Sequence, residues 1–200
     1  MTDQLAPTPE GIARAAALLA GGAVVAFPTD TVYGVGVAAT HPNRVAALFA
    51  LKGRPAEKRI PLLVADLDQA IRAGGLVDEA ARRLSQRFWP GALSLVLPIA
   101  DGETQAFRAP DHRVALDLIR AAGPIFTSSA NRSGEPETLG ADDVRIAFAT
   151  QQDELAAVLD GGTVPGGIAS TVLDLSVSPA RILRVGPVTR EQIAEIVEVG

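Results

Sequence analysis

The sequence predicts an α/β fold, and three observations predict it. Short apolar runs at residues 23–27, 61–64, 92–97, 124–127 and 157–159 have the length and composition of buried strands. Between them lie segments with apolar residues at helical spacing, several opened by capping residues and closed by glycine. The composition, 48% apolar but only 4% aromatic, suits many small contacts between helices and a sheet. No linker or charge block divides the 200 residues, so one domain over 1–200 is expected.

Thr8-Pro9-Glu10 supplies a capping hydroxyl, a proline at the first helical position and an acid in the first turn, which predicts a helix as far as Gly21. The strand at 23–27 ends at Pro28, which cannot donate to a ladder and biases Phe27 to the extended region. The chain should therefore leave the sheet into Thr29-Asp30-Thr31-Val32-Tyr33, a polar turn between two apolar runs, at a strand end where open α/β sheets bind ligands. Gly34 and Gly36 would let backbone approach a neighbour closely.

A helix from Pro42 through Leu51 should stop at Lys52-Gly53-Arg54-Pro55, where Lys52, Arg54, Lys58 and Arg59 make a basic loop ahead of the strand at 61–64. Helices at 66–72 and 77–88 follow, and Trp89-Pro90-Gly91 breaks into the strand at 92–97. The strand at 104–108 carries Arg108 at its end, with few partners near it in sequence, before a helix capped by Asp111. The strand at 124–127 ends in Ser128-Ser129-Ala130-Asn131-Arg132-Ser133-Gly134, a second polar strand end. Beyond it the pattern gives a helix at 142–148, the strand at 157–159, a glycine loop at 160–167, strands at 170–173 and 182–186 with Arg184 on the latter, and a helix at 189–197.

Several function classes are closed. A net charge of −5 does not suit a molecule that coats nucleic acid or an anionic membrane, so any basic site is local. With no cysteine there is no disulfide framework, thiolate zinc site or cysteine nucleophile. His41 and His112 stand apart and are expected at the surface or at helix caps. The N-terminus lacks a signal-peptide pattern, and the longest apolar run, 15–27, is interrupted by Gly21-Gly22; a cytoplasmic protein without membrane contact is expected. The segment 34–39 matches the dinucleotide-binding pattern G-x-G-x-x-A, but its glycines do not join a strand to a helix N-terminus. No Walker, nucleophile-elbow or zincin motif occurs.

What remains is a set of strand-end clusters: Thr29/Thr31, Lys52/Arg54, Arg108, Ser129/Asn131, Ser170/Thr171 and Arg184. Hydroxyls, amides and basic groups predominate, which points to chemistry by positioning and charge stabilisation, as in phosphoryl or nucleotidyl transfer. Taken singly, the Pro-Thr-Asp turn also fits a spacer and the basic loop a solvated segment.

Five motifs in one order resemble the YrdC/TsaC family: Phe-Pro-Thr-Asp-Thr-Val-Tyr-Gly at 27–34, Lys-Gly-Arg-Pro at 52–55, Phe-Trp-Pro-Gly-Ala-Leu-Ser-Leu-Val-Leu at 88–97, Ser-Ala-Asn-Arg-Ser-Gly at 129–134 and Ser-Thr-Val-Leu-Asp at 170–174. The resemblance implies a twisted, mixed parallel and antiparallel open sheet flanked by helices, with a concave basic groove. It implies a threonylcarbamoyl-AMP synthase of the short bacterial form, which joins L-threonine, bicarbonate and ATP and releases pyrophosphate, for tRNA modification next to the anticodon. By position in the motifs, Thr29, Arg108, Thr127 and Ser170 would bind threonine. Lys52, Arg54, Ser129, Asn131 and Arg184 would hold ATP, with Lys52 and Arg54 also catalytic. Mg²⁺ is expected with the triphosphate although no metal ligands are assigned, and tRNA or double-stranded RNA and the proteins of the threonylcarbamoyl transfer machinery are implied partners. The spacer 56–60, Ala65 and Val185 depart from the family pattern. An RNA-binding or ribosome-maturation role on the same fold is the alternative, and carbamoyl transfer from carbamoyl phosphate a third.

Overall fold

The structure is a computed structural model that describes residues 2–53, 60–151 and 154–200. In chain order it runs β1 (Asp3–Leu5), α1 (Pro9–Ala20), β2 (Val24–Phe27), β3 (Gly34–Ala38), a 3₁₀ turn (Pro42–Arg44), α2 (Val45–Lys52), β4 (Leu62–Leu63), α3 (Leu67–Arg72), α4 (Glu79–Phe88), β5 (Leu93–Pro98) and β6 (Thr104–Arg108). It continues with α5 (Arg113–Ala122), β7 (Ile125–Ser129), α6 (Ala141–Ala147), β8 (Leu155–Leu159), β9 (Thr171–Asp174), β10 (Arg181–Arg184) and α7 (Arg190–Ala194).

Among the described residues the strands form one ten-stranded sheet in the order β1-β8-β2-β3-β7-β4-β6-β5-β9-β10. The sheet is open and mixed, as the motifs implied. The β2–β8, β4–β6 and β5–β9 pairs are parallel, and the β2–β3, β3–β7, β5–β6 and β9–β10 pairs antiparallel. Helices cover both faces, which is why the central strands read as unbroken apolar runs rather than alternating ones. Along β2, Val25 and Phe27 pack with Leu19 of α1 and Leu118 of α5, whereas Val24 and Ala26 pack in the core with Leu48 of α2 and Val144 of α6. Leu84 of α4 and Ile193 of α7 join Leu93, Leu95, Phe107 and Leu173 in a third cluster. Each such fully buried Leu, Ile or Phe contributes about 1.5–3 kcal/mol.

The helix starts obey their capping chemistry. The side chains of Thr8, Asp66, Asp78 and Thr189 accept the backbone N–H groups of Gly11, Gln69, Ala81 and Gln192. Gly53, at φ 64°, ends α2 in the left-handed region.

Three expectations are corrected. The cap position of α5 belongs to His112, not Asp111, and no side chain caps that helix. Lys52 is the last residue of α2 and is buried, so it is not part of a loop; Arg54, Lys58, Arg59 and most of the spacer 56–60 lie outside the described residues. Strands β1 and β3 were not anticipated. β3 carries Gly34 and Gly36, and these are a sheet feature: a Cβ on Gly36 would lie 2.5 Å from Ile125 Cγ2 and 2.8 Å from the Phe126 carbonyl oxygen of neighbouring β7. That position in mid-strand also removes the dinucleotide-binding reading.

Candidate functional site

Strands β2, β5, β6, β7, β9 and β10 bring polar residues to one cavity of about 460 Å³. Its lining includes Thr29, Thr31, Ser94, Arg108, Thr127, Ser129, Ser170 and Arg184, with Glu137 the carboxylate among the described residues. Six of the nine residues expected from the sequence therefore face one space, although they are spread from position 29 to position 184. Lys52 and Asn131 are buried one layer behind that wall, and Arg54 lies outside the described residues. A second cavity of about 350 Å³ is lined by Leu76, Val77, Asp78, Leu97, Pro98 and Leu175, with no cation among the described residues that line it.

The loop after β2 is built by its own hydroxyl. Thr29 Oγ1 donates to the Val32 carbonyl at 2.7 Å and accepts the Thr31 N–H at 3.2 Å, closing a tight turn that presents Thr29 and Thr31 to the cavity. Tyr33 is fully buried; its hydroxyl donates to the Gly162 carbonyl at 2.7 Å and accepts from the Gly161 N–H at 3.1 Å. This ties the glycine loop to the turn, and burial pushes the Tyr33 phenol pKa upward.

Arg108, at the end of β6, is not alone. Its Nη2 lies 2.6 Å from both carboxylate oxygens of Asp30, and its Nε donates to the Gly91 carbonyl at 3.0 Å. Arg108 is buried and Asp30 partly so, with side-chain exposures of 9% and 15%. Burial lowers the Arg108 pKa and the Asp30 charge opposes it, while Arg184 adds a further lowering; a guanidinium stays charged in such a setting.

Ser94 on β5 and Ser170 share a hydrogen bond of 2.9 Å between their hydroxyls. Arg184 on β10 donates from Nε to the Ser170 carbonyl at 2.9 Å and from Nη2 to its Oγ at 3.1 Å. Thr127 donates its hydroxyl to the Ile125 carbonyl at 3.1 Å. With its hydrogen spent on protein, the Thr127 oxygen offers lone pairs, so it suits donors on a ligand such as ammonium or hydroxyl.

Behind the wall, Lys52 Nζ donates to the Ser129 carbonyl and, at 2.7 Å, to the Asn131 carbonyl, with both side-chain oxygens at 3.3 Å. Asn131 Nδ2 in turn donates to the Glu135 carbonyl at 2.7 Å. The lysine thereby fixes the end of β7 from which Ser129 lines the cavity. Of the departures from the family pattern, Ala65 is half-buried against the α1/α5 core and Val185 is 77% exposed.

Sequence reasoning missed Ser94, the structural hydroxyl of Tyr33 and the partner of Arg108. The signal for Ser94 was a polar residue within the otherwise apolar run of β5.

The Sua5_yciO_yrdC family model, described as "Telomere recombination", matches residues 17–186. The chain is 41% identical over 208 residues to a Bacillus subtilis (strain 168) protein named threonylcarbamoyl-AMP synthase, covering 98% of this chain and 59% of that protein. It is 38% identical over 198 residues to a Mycobacterium tuberculosis (strain H37Rv) protein named putative threonylcarbamoyl-AMP synthase, covering 94% of this chain and 90% of that one. Its fold is similar to the crystal structure of P. abyssi Sua5 complexed with L-threonine, with a TM-score of 0.89, 34% identity, and coverage of all of this chain and 62% of that chain. The chain thus spans about three fifths of the Bacillus and Pyrococcus proteins.

Proposed function

The chain belongs to the Sua5/YciO/YrdC family, and on that premise we propose that it acts as a threonylcarbamoyl-AMP synthase, joining L-threonine, bicarbonate and ATP with release of pyrophosphate. The observation that carries this reading is the convergence of Arg108, Arg184, Thr29, Thr127, Ser129 and Ser170 on one cavity. Arg108 supplies the charge for the threonine carboxylate. The Thr127 oxygen accepts from the substrate's amine or hydroxyl, with Thr29 and Ser170 shaping the same subsite. Arg184 and Ser129 face the nucleotide; Lys52 and Asn131 hold the Ser129 strand end in place for it, and Arg54 is assigned to the triphosphate by motif alone.

The reaction requires two bond-forming steps. The threonine amine attacks the carbon of bicarbonate, with a C–O bond breaking and water leaving, or of CO₂, with the amine proton lost to solvent, to give a carbamate; a carbamate oxygen then attacks the α-phosphorus as the bond to pyrophosphate breaks. Fixed cations along the cavity suit charge that grows on the leaving group. Among the described residues no three His, Cys, Asp or Glu side chains cluster as metal ligands, so the donor set fits a Mg²⁺ carried in on the triphosphate, where it would shield the phosphate charge. We assign the product to tRNA modification next to the anticodon, with tRNA contact and partner proteins of the transfer machinery, in the cytoplasm. Among the described residues no helix is long and apolar enough to cross a membrane.

Pyrophosphate release should require threonine, bicarbonate, ATP and Mg²⁺ together, measured with each omitted in turn and with chelator. Equal turnover without threonine would sink the proposal, and salt-sensitive RNA binding with no turnover would favour the RNA-binding alternative.

A further inference from the structure

The Asp30–Arg108 pair has an asymmetry that the threonine-binding reading does not by itself require. Thr29 and Thr31 line the cavity on either side of Asp30 in sequence, yet Asp30 is not among the described residues that line it, whereas Arg108 is. The Asp30 carboxylate therefore grips the guanidinium without itself lining the cavity among the described residues. It does so at Nη2, and Gly91 holds Nε, which leaves Nη1 without a partner among the described residues. The grip is itself anchored, because the Thr29 hydroxyl closes the turn on which Asp30 sits. Arg184 is close enough to disfavour a second positive charge at Arg108, and Asp30 offsets that repulsion.

We infer that Asp30 is a positioning residue for the proposed reaction: it and the Gly91 carbonyl tether two of the three guanidinium nitrogens and so decide which edge of Arg108 meets the substrate carboxylate. The inference deepens the synthase reading and rests on it for the identity of that carboxylate. It also changes the expected contact. A fork through Nε and Nη2 is closed, so the substrate approaches the Nη1 edge.

Two measurements test it. In steady-state kinetics, Asp30→Asn should raise KM for threonine by about 10-fold or more, with KM for ATP moving less than about twofold. In an Arg108→Lys background the same change should add less than about twofold, since the two act through one contact. Asp30→Glu restores the charge but displaces it by one methylene, so threonine KM should stay raised; recovery of the wild-type value would show that only the charge matters and overturn the positioning role. Independently of turnover, the Arg108 Nη2 protons, which Asp30 holds, should give a slowly exchanging resonance in low-temperature ¹H–¹⁵N spectra of the wild type that is lost in Asp30→Asn. An unchanged resonance, or an unchanged threonine KM, overturns the inference. If Asp30→Asn does not fold, Asp30→Glu carries both comparisons, and failure of both variants to fold would make Asp30 a stability residue and overturn it too. A wild type that releases no pyrophosphate with threonine defeats the synthase reading, while the resonance still decides the role of Asp30.

Discussion

At Lys52 the consequence of removal follows from what its ammonium touches. Two buried backbone carbonyls and two side-chain oxygens surround it, and the residue is 4% exposed. Lys52→Ala should therefore act twice. If the Ser129 strand end serves the transition state, kcat falls by about 10²-fold or more. Leaving the carbonyls short of a charged donor costs about 2–3 kcal/mol, which for a chain of this size lowers the melting temperature by about 4–12 °C. Kinetics and a thermal melt on the same variant check both; a wild-type melting temperature would show that the carbonyls find other partners. The residue types of the site were legible in the sequence, because hydroxyls, amides and cations at strand ends have few structural uses. Their pairings were not. Asp30 and Arg108 are 78 positions apart and Lys52 and Asn131 are 79 apart, and nothing local in the sequence announces either contact.

At the scale of elements, the legible features were those with local causes. The capping hydroxyl of Thr8 placed the start of α1, the helices expected from 66, 77 and 189 begin within two residues of those positions, and the proline after β2 marked where the polar turn begins. β3 escaped because its glycines weaken every local strand signal, and their reason lies in another strand. Gly36 faces the backbone of β7 so closely that a methyl group cannot be accommodated by a side-chain rotation alone. Gly36→Ala should push β3 and β7 apart and destabilise the protein by about 1–3 kcal/mol, the usual range for overpacking. Denaturant unfolding would show this as a lower midpoint at constant slope; a wild-type midpoint would mean that the sheet yields there at no cost. The one-residue displacement of the α5 cap from Asp111 to His112 has a plainer origin, since adjacent polar residues leave the choice to tertiary packing.

At the scale of the whole molecule, the order of strands in the sheet could not be read from the pattern of apolar runs. Periodicity states how a strand is buried but not beside what. β7 lies between β3 and β4, and β8 between β1 and β2, so the late part of the chain completes the early part. The cavity is a product of that interleaving: Thr29 comes from the first sixth of the chain, Arg108 and Thr127 from its middle, and Ser170 and Arg184 from its last sixth. A ligand held by all of these groups binds only when the early and late parts of the chain are both in place, and ligand bound to the native state alone adds stability by mass action. At about 100 times its dissociation constant, threonine should add about 2.7 kcal/mol. For a chain of this length that is a rise of about 5–11 °C in the midpoint of one transition. Calorimetric scans with and without saturating L-threonine check this. A single peak that moves as a whole is the expected result. Two peaks of which only one responds would show that the cavity is built by part of the sheet, with the remaining strands folding independently of it.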